Sequence, residues 1–573
     1  MMESRLQQAH VAGYERIVAW ADLLDQINVF PVADSDTGRN LKISLAPLLS
    51  LDAPPESVCR RLLVSATGNS GNIAASFFTG FAGAQNTAQI PDAARSGRDQ
   101  AWQVLADPQP GTMLSVMDAL VEILDLTARD TLPAAADIVD HLAGAVSGTT
   151  EQLPVLKRAG VVDAGALGLH IYLEGFFRFL AGTNNGYPSI TDVFRNKLQL
   201  SADFTPDAGS DYCVDTLVRP HGPNHPDLNA LSAHGRSVVA VSDAEYIKIH
   251  LHTEDRTSLR KALESVGSVV NWKESLMADQ PGAGNTRRPA GGIHIMTDAA
   301  GSFTPADAGR LGVTLLESIL VVENESIPET LFSPEALYDA MRTGKKVATA
   351  QSSIFVRHQS YQNVLGRYDR ILYLCVGSVY TTNFHVACAW KTENDPDDRL
   401  TVIDSSSASG GLGIIALATA RFARQTTDFD AVVRFAESAV ARRRELIFLD
   451  QLKYLARGGR ISKTKGFFGD LLNKKPIISP MASGAERAGV VRTRAQQVEF
   501  ALQHLEEWVE TGSDPLIMLE YTDNLPWLQQ TLGPAVQALC PAAEILFQPL
   551  SLTSGAHMGP GTWGLAVLPA EKP

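Results

Sequence analysis

Residues 28–40 read NVFPVADSDTGRN, and the rest of the chain is organised around this stretch. Only Ser35 separates Asp34 from Asp36, so in an extended loop both carboxylates turn to the same side. Thr37, Gly38 and Asn40 then offer a hydroxyl, a permissive backbone and an amide. Closely set carboxylates repel unless a cation lies between them, and hard oxygen ligands suit Mg²⁺, which commonly also takes substrate phosphates. The same residues equally fit an Asx-rich turn capping a helix that begins near Gly38.

The neighbouring segments extend the pattern. Residues 4–27 read as a helix through Val18, Leu23, Leu24 and Ile27, delivering the chain into the acidic loop. A second helix near 56–64 leads to SATGNSGNIAASFFTGF at 65–81. There Asn69, Ser70 and Gly71 belong to a Gly-rich turn ahead of a helical pattern, a place where free backbone N–H groups meet anions. In PGTMLSVMDALVEIL, at 110–124, the apolar spacing predicts a core helix, and Thr112 just before it fits an N-cap or a nucleotide ligand. Asp163 opens the last helix of the region, within LKRAGVVDAGALGLHIYLEGFFRFL at 156–180.

A chain of 573 residues predicts several domains, and 45% hydrophobic with 20% charged residues is an ordinary globular composition. The formal net charge of −14 argues against a nucleic-acid surface. Cys59, Cys213, Cys375, Cys388 and Cys540 are odd in number and scattered, which predicts a reducing cytoplasm and not a disulfide framework. The N-terminal segment carries charges throughout and lacks a signal-peptide core. Residues 62–91 are uncharged but too rich in Asn, Ser, Thr and Gly for a membrane span.

Two β-rich runs follow, YCVDTLVRP at 212–220 and SVVAVSDAEYIKIHLHT at 237–253. His250 and His252 alternate with Ile249 and Leu251, so a strand projects both imidazoles from one face. With Cys213 they make a soft three-ligand set suited to Zn²⁺, or they are two satisfied histidines at a surface or interface. A structural or dimer-stabilising role fits such a set better than catalysis. MADQPGAGNTRRPAGG at 277–292 reads as a linker. Beyond it GGIHIMTD, ILYLCVGS and LTVIDSSS are apolar strands ending in small polar residues, which predicts an α/β sheet with its site at the carboxyl edge. Four polar clusters accompany them: ATAQSS (Thr349, Gln351), SVYTTNF (Thr381, Thr382, Asn383), LARGGRISK (Arg460) and GAHMGPGTWG (His557). Hydroxyls, one Arg and one His with few acidic partners suit a buried carboxylate.

The acidic loop, the GNSG turn, the GT before a helix and the GVVDAG segment occur in the order and spacing of the nucleotide-binding domain of bacterial fatty acid kinase, which this region resembles. That domain is itself similar to the L subunit of dihydroxyacetone kinase. The resemblance implies an all-α helical barrel kinase domain over 1–185, binding ATP and Mg²⁺. Asp34 and Asp36 would be metal ligands beside Asn28. Thr37, Asn40, Asn69, Ser70, Gly71 and Thr112 would contact phosphates, with Asp163 near the nucleoside. Ala33, Ser35 and Arg39 depart from that family's proline, glycine and small residue. The middle region, 186–280, is similar to that of the same kinase, with its Cys and HVHT strand, and implies an α+β domain with a structural Zn²⁺ site. After a linker at 281–291, residues 292–573 resemble the DegV family in TD, TxQ, DSxxxSGGLG, YLxxGGRIS and GAHxGPG motifs. This implies an α/β two-lobed fatty-acid-binding domain in which Thr349 and Thr381 bind the carboxyl group, Thr382 lies in the same turn, and Arg460 and His557 stand at the mouth. Thr-Thr-Asn replaces the usual Ser-Gly-Thr, and Ser352 a proline.

The expected protein is therefore a multidomain cytoplasmic fatty acid kinase that phosphorylates the carboxylate of a lipid held by its own DegV-like domain. Its expected partners are ATP and a fatty acid, with no nucleic acid, no transmembrane segment, a transient membrane contact and a homodimer. Alternatives are a lipid-binding regulatory protein that senses nucleotide, or a kinase for a non-standard carboxylic acid.

Overall fold

The computed structural model describes residues 5–51, 55–126, 131–183, 186–205, 211–222, 228–277, 292–323, 325–457, 474–510 and 512–571. The chain forms two compact units, one on each side of the step from residue 287 to 288. The predicted linker at 281–291 lies outside the described residues.

The first unit begins with nine helices among the described residues: α1 (Arg5–Ile27), α2 (Thr37–Leu45), α3 (Pro55–Ser65), α4 (Gly68–Phe81), α5 (Ile90–Gln103), α6 (Met113–Asp125), α7 (Ala135–Gln152), α8 (Pro154–Ala159) and α9 (Ala164–Ala181). Apolar residues surround α9 and every position from Ala164 to Phe177 is buried, the signature of a helix at the centre of a bundle. Helix α1 lays Ile17, Trp20, Leu24 and Ile27 into this core at helical spacing. Arg16 goes in with them and pairs with Glu174 of α9, whose other carboxylate oxygen takes Arg178 at 3.0 Å. A charge that deep is tolerated only when paired. The GNSG segment, expected as a turn feeding a helix, is instead the first turn of α4 itself, with Thr67 as the residue before it.

A four-stranded antiparallel sheet completes this unit, in the order β2–β3–β1–β4: β1 is Tyr212–Pro220, β2 Arg236–Ser242, β3 Ile247–Thr253 and β4 Gly267–Leu276. The second β-rich run is thus two strands. They are joined at Asp243, whose Oδ1 accepts from the N–H of Glu245 at 2.8 Å and of Tyr246 at 2.7 Å. The helix Arg256–Val266 buries Leu259 and Leu263 against the sheet's apolar cluster, which includes Val214, Ile249 and Leu251.

Among the described residues the second unit contains three sheets. A parallel sheet runs β11–β10–β5–β6, from Leu400–Asp404, Arg370–Cys375, Ile293–Asp298 and Thr314–Leu316. A mixed sheet runs β14–β13–β12–β17–β15–β16, from Gly484–Val491, Lys475–Met481, Arg444–Phe448, Trp563–Leu568, Leu516–Tyr521 and Glu544–Pro549. A small antiparallel sheet, β8–β7–β9, comprises Glu325–Pro328, Ser318–Val322 and Val347–Gln351. The helix Ser409–Ala423 joins one core cluster to Ile295 and Leu374 of the parallel sheet and to Met518 and Ala566 of the mixed one. Its burial on both sides explains why residues 410–418 carry no polar side chain, while Arg421 near its end pairs with Glu544. Among the described residues no helix is long and apolar enough to cross a membrane.

Candidate functional site

In the first unit the loop before α2 holds its two aspartates against each other. Asp25, at the end of α1, accepts from the backbone N–H of Gly38 at 2.6 Å and of Arg39 at 3.1 Å. It therefore caps α2 from outside, and the side chain of Asp36 makes no capping bond. That frees Asp36 to face Asp34, so the plain Asx-turn reading of the loop does not describe it. Burial raises Asp34 well above the ordinary carboxylate range, with the charge of Asp36 next in importance. Burial likewise raises Asp36, against bonds from Asp34 and Asn40 that pull it down. Asp25 is pushed up to about 7, chiefly by burial. Asn28 donates Nδ2–H to Asp34 Oδ1 at 2.6 Å and leaves its own buried Oδ1 without a hydrogen-bond partner. Two carboxylates set against each other, beside an amide oxygen with no hydrogen-bond partner among the described residues, are the donor set that a hard divalent cation would complete.

Close helix contacts fix this loop to the GNSG turn. A Cβ on Gly38 would collide with the carbonyl oxygen of Ala21 in α1, and one on Gly68 with the amide of Asn40. Gly68 also has φ +64°, a left-handed value that a side chain disfavours. The two helix N-termini are thereby brought together, and Thr37 Oγ1 lies 3.1 Å from Ser70 Oγ. Ser35, the residue between the aspartates, has φ 55°, so the departure from glycine falls on a backbone that favours glycine. Thr112 and Asp163 act as N-caps, accepting from Leu114 N–H at 3.4 Å and Ala166 N–H at 2.7 Å. Burial pushes Asp163 up to about 7. The two caps are neighbours, since Gly165 packs on Met113.

The sheet of the same unit presents a second cluster. The antiparallel register sets Cys213 opposite His252 and Asp215 opposite His250. One ligand atom from each of Cys213, His250 and His252 lies within 4.8 Å of the others, and all three residues are buried. Among the described residues none of the four imidazole nitrogens has a hydrogen-bond partner; His250 Nδ1 lies 3.2 Å from Asp215 Oδ2. Burial holds His252 down at about 3, hence neutral. Two buried imidazoles facing a thiol, one of them neutral, fit Zn²⁺ better than the alternative of satisfied surface histidines. Burial raises the Cys213 thiol, and the charges of Asp215, Asp36 and Asp34 raise it further. The cluster therefore adjoins the paired aspartates, which the expectation of a purely structural or dimer-stabilising element did not anticipate. Asp215 ties the two together: its Oδ2 accepts from Gly68 N–H at 3.2 Å and from Thr67 Oγ1 at 3.3 Å, at the start of α4. Lys248 Nζ lies 3.4 Å from its Oδ1.

In the second unit a cavity of about 60 Å³ opens at the carboxyl edge of the parallel sheet, where Asp298, Thr349, Gln351, Arg357, Thr381 and Asn383 line it. Thr349 Oγ1 lies 2.9 Å from His557 Nε2. Asp298, raised by burial, accepts from Tyr373 Oη–H and Asn383 Nδ2–H on Oδ1 and from Val376 N–H on Oδ2.

Residues 31–178 match the DAK2 domain, 209–283 the FakA-like middle domain of fatty acid kinase, and 292–570 the family described as uncharacterised protein, DegV family. The chain joins a DAK2 domain, a FakA-like middle domain and a DegV domain. It is 28% identical to an uncharacterized protein of Staphylococcus saprophyticus over 50% of this chain and 57% of that one. It is 28% identical to Protein YloV of Bacillus subtilis over 47% and 54%. The chain thus spans about half the length of the curated relatives it matches. A solved structure, "Fatty Acid Binding of a DegV family Protein from Thermus thermophilus", aligns with 48% of this chain and 99% of its own at 25% identity and TM-score 0.45.

In the DAK2 domain the structure assembles Asp34, Asp36, Thr37, Asn40, Ser70 and Gly71 around one loop pair, while Thr112 and Asp163 form a separate pair of caps. In the DegV domain Thr349 and Thr381 line the cavity, and His557 is not in its lining but contacts Thr349. Thr382 does not line it: its side chain is exposed and donates to Gln351 Oε1 at 2.8 Å. Arg460 lies outside the described residues. Sequence reading missed Asp25, Asp215 and Arg357. Only Arg357 left a local sign, a lone basic residue just after the TxQ loop.

Proposed function

We propose that the chain transfers the γ-phosphoryl group of ATP to the carboxylate of a fatty acid, giving acyl-phosphate and ADP. The carrying observation is the domain content: DAK2, fatty acid kinase-like and DegV domains lie in one chain. The assignment of residues 1–185 to the kinase, 186–280 to the middle domain, 281–291 to a linker and 292–573 to the acid carrier is part of the proposal. Asp34 and Asp36, with Asn28 beside them, would hold Mg²⁺, which neutralises charge on the transferring phosphoryl group when bound. Thr37, Asn40 and the N-terminal turn of α4 at Asn69, Ser70 and Gly71 would orient the phosphates through amides and hydroxyls. Thr112 and Asp163 would face the rest of the nucleotide. Cys213, His250 and His252 would hold Zn²⁺. Thr349 and Thr381, with His557 and Arg460 at the mouth, would present the acid. An ionised carboxylate is already a nucleophile, so its oxygen bonds to phosphorus as the bond to the β-phosphate oxygen breaks, and no general base is needed. The acid is offered to the kinase domain of its own chain or of a second copy.

The test is ATP consumption by the purified chain with and without added fatty acid, trapping acyl-phosphate with hydroxylamine. Asp34→Ala or Asp36→Ala is expected to abolish trapping while lipid stays bound. Turnover in either variant refutes the metal assignment, and fatty-acid-independent hydrolysis alone refutes the reaction. A second reading keeps the reaction and changes the acid to a shorter or substituted one. The Thr-Thr-Asn turn favours it.

A further inference from the structure

Arg357 brings a buried guanidinium to the cavity of the DegV domain. It stands on the helix Ile354–Arg367, is 5% exposed and lines the cavity wall. Its Nη1 donates to Asn383 Oδ1 at 2.8 Å and its Nη2 to Gln351 Oε1 at 3.2 Å. Both acceptors are neutral amides, and Nε has no hydrogen-bond partner. Among the described residues no carboxylate bonds to it. Asp298 is near enough to feel its charge, but the Asp298 oxygens are taken by Tyr373, Asn383 and the Val376 N–H. Glu317, the other acid on the wall, accepts from Thr330 Oγ1 at 2.5 Å. A guanidinium keeps its charge at any physiological pH. Burying one against amides alone is costly, and its planar fork matches a carboxylate.

We propose that Arg357 is the cation that receives the ligand's carboxylate, so that this domain selects free, ionised carboxylic acids over the esters and alcohols of the same chain. The inference rests on the reading that the DegV domain holds a carboxylic acid. Two acids line the same wall, and Arg357 is the one basic side chain among the described residues of that lining. With it, the Thr349 and Thr381 hydroxyls supply the remaining bonds. Arg357 thus sets head-group specificity in this cavity.

The experiment measures binding of radiolabelled palmitate and of methyl palmitate to the full chain, as wild type, Arg357→Gln and Arg357→Lys. Palmitate binding is expected to weaken roughly 30-fold or more in Arg357→Gln. In Arg357→Lys, which keeps the charge but loses the fork, it should weaken roughly tenfold. Methyl palmitate binding should stay within about twofold in both, which a merely structural role through Asn383 would not produce. Equal losses for acid and ester, or no loss for either, overturn the proposal. If Arg357→Gln does not fold, the acid-to-ester ratio of Arg357→Lys decides. If wild type binds no palmitate, thermal stabilisation by octanoate is read instead. Stabilisation of wild type and not of Arg357→Gln upholds the role of Arg357 and rejects the long-chain reading. No response to either acid rejects both.

Discussion

Replacing Glu520 with glutamine should make the second unit more stable at neutral and alkaline pH. Glu520 is fully buried on β15, accepting from Ser302 Oγ at 2.6 Å and from the Gly410 N–H at the start of the central helix. Glu445, on the neighbouring part of the same sheet, accepts from Ser407 Oγ at 3.2 Å and is raised by burial and then by the charge of Glu520. Burial pushes Glu520 from its ordinary 4.5 up to about 7. The folded state therefore keeps a proton that the unfolded chain has already lost, so stability is full below the ordinary value and declines as pH rises through the folded one. A rise of that size corresponds to about 3 kcal/mol over the window. Glutamine keeps the acceptor oxygen, puts an N–H where the carboxyl proton was, and cannot ionise. The expected result is a stability difference between Glu520→Gln and wild type that grows by about 3 kcal/mol from near pH 4.5 to above pH 7. Calorimetry of the full chain across pH 4.5–8 reads it, following the transition that the substitution moves. Asp298 and Glu329 are also raised by burial and share the direction, so the difference between the two proteins is the quantity that counts. A difference independent of pH would refute the reasoning.

Gly38→Ala should cost roughly 1–3 kcal/mol, because its Cβ meets the Ala21 backbone and α1 must move away from α2. A lowered thermal midpoint together with weakened Mg²⁺-dependent nucleotide binding checks it; an unchanged midpoint contradicts the packing. Ser35→Gly should stabilise by about 0.5–1 kcal/mol by relieving the left-handed backbone at φ 55°, and a fall in thermal midpoint would show that the serine hydroxyl matters more than the strain. Metal analysis of the purified chain should find zinc, lost in Cys213→Ala and in His252→Ala. Zinc retained in both variants would place it elsewhere.

The sequence revealed most where function depends on neighbours in the chain. Asp34 and Asp36 are two residues apart, His250 and His252 share a strand face by alternation, and the central helix Ser409–Ala423 announces its burial by carrying no polar side chain over residues 410–418. Where partners come from distant segments, local pattern carries no signal. Asp25 caps α2 from the end of α1, and nothing in its own surroundings says that it relieves Asp36 of that task. Asp215 sits in an ordinary apolar strand, yet the register that pairs Cys213 with His252 also carries it to the first turn of α4. The GNSG glycines provide clearance, since a Cβ on Gly68 would meet Asn40 and one on Gly71 would meet Ser44.

The adjacency of the two clusters in the first unit follows from that same register and has a chemical consequence. The face of β1 and β3 that holds Cys213 and His252 holds Asp215, His250 and Lys248 as well, because alternate residues of a strand share a side. Once Asp215 takes the Gly68 N–H, the whole face is fixed against the helix start that would bear phosphates. A Zn²⁺ ion on Cys213, His250 and His252 would then add positive charge beside carboxylates that burial shifts upward, favouring their ionised, cation-binding form. The prediction is reciprocal: removing zinc by Cys213→Ala should weaken Mg²⁺ binding at Asp34 and Asp36, and Asp36→Asn should weaken zinc binding in turn. Independent Mg²⁺ and zinc titrations of the variants, with no change in either partner's affinity, would show the two clusters to be neighbours without influence on each other.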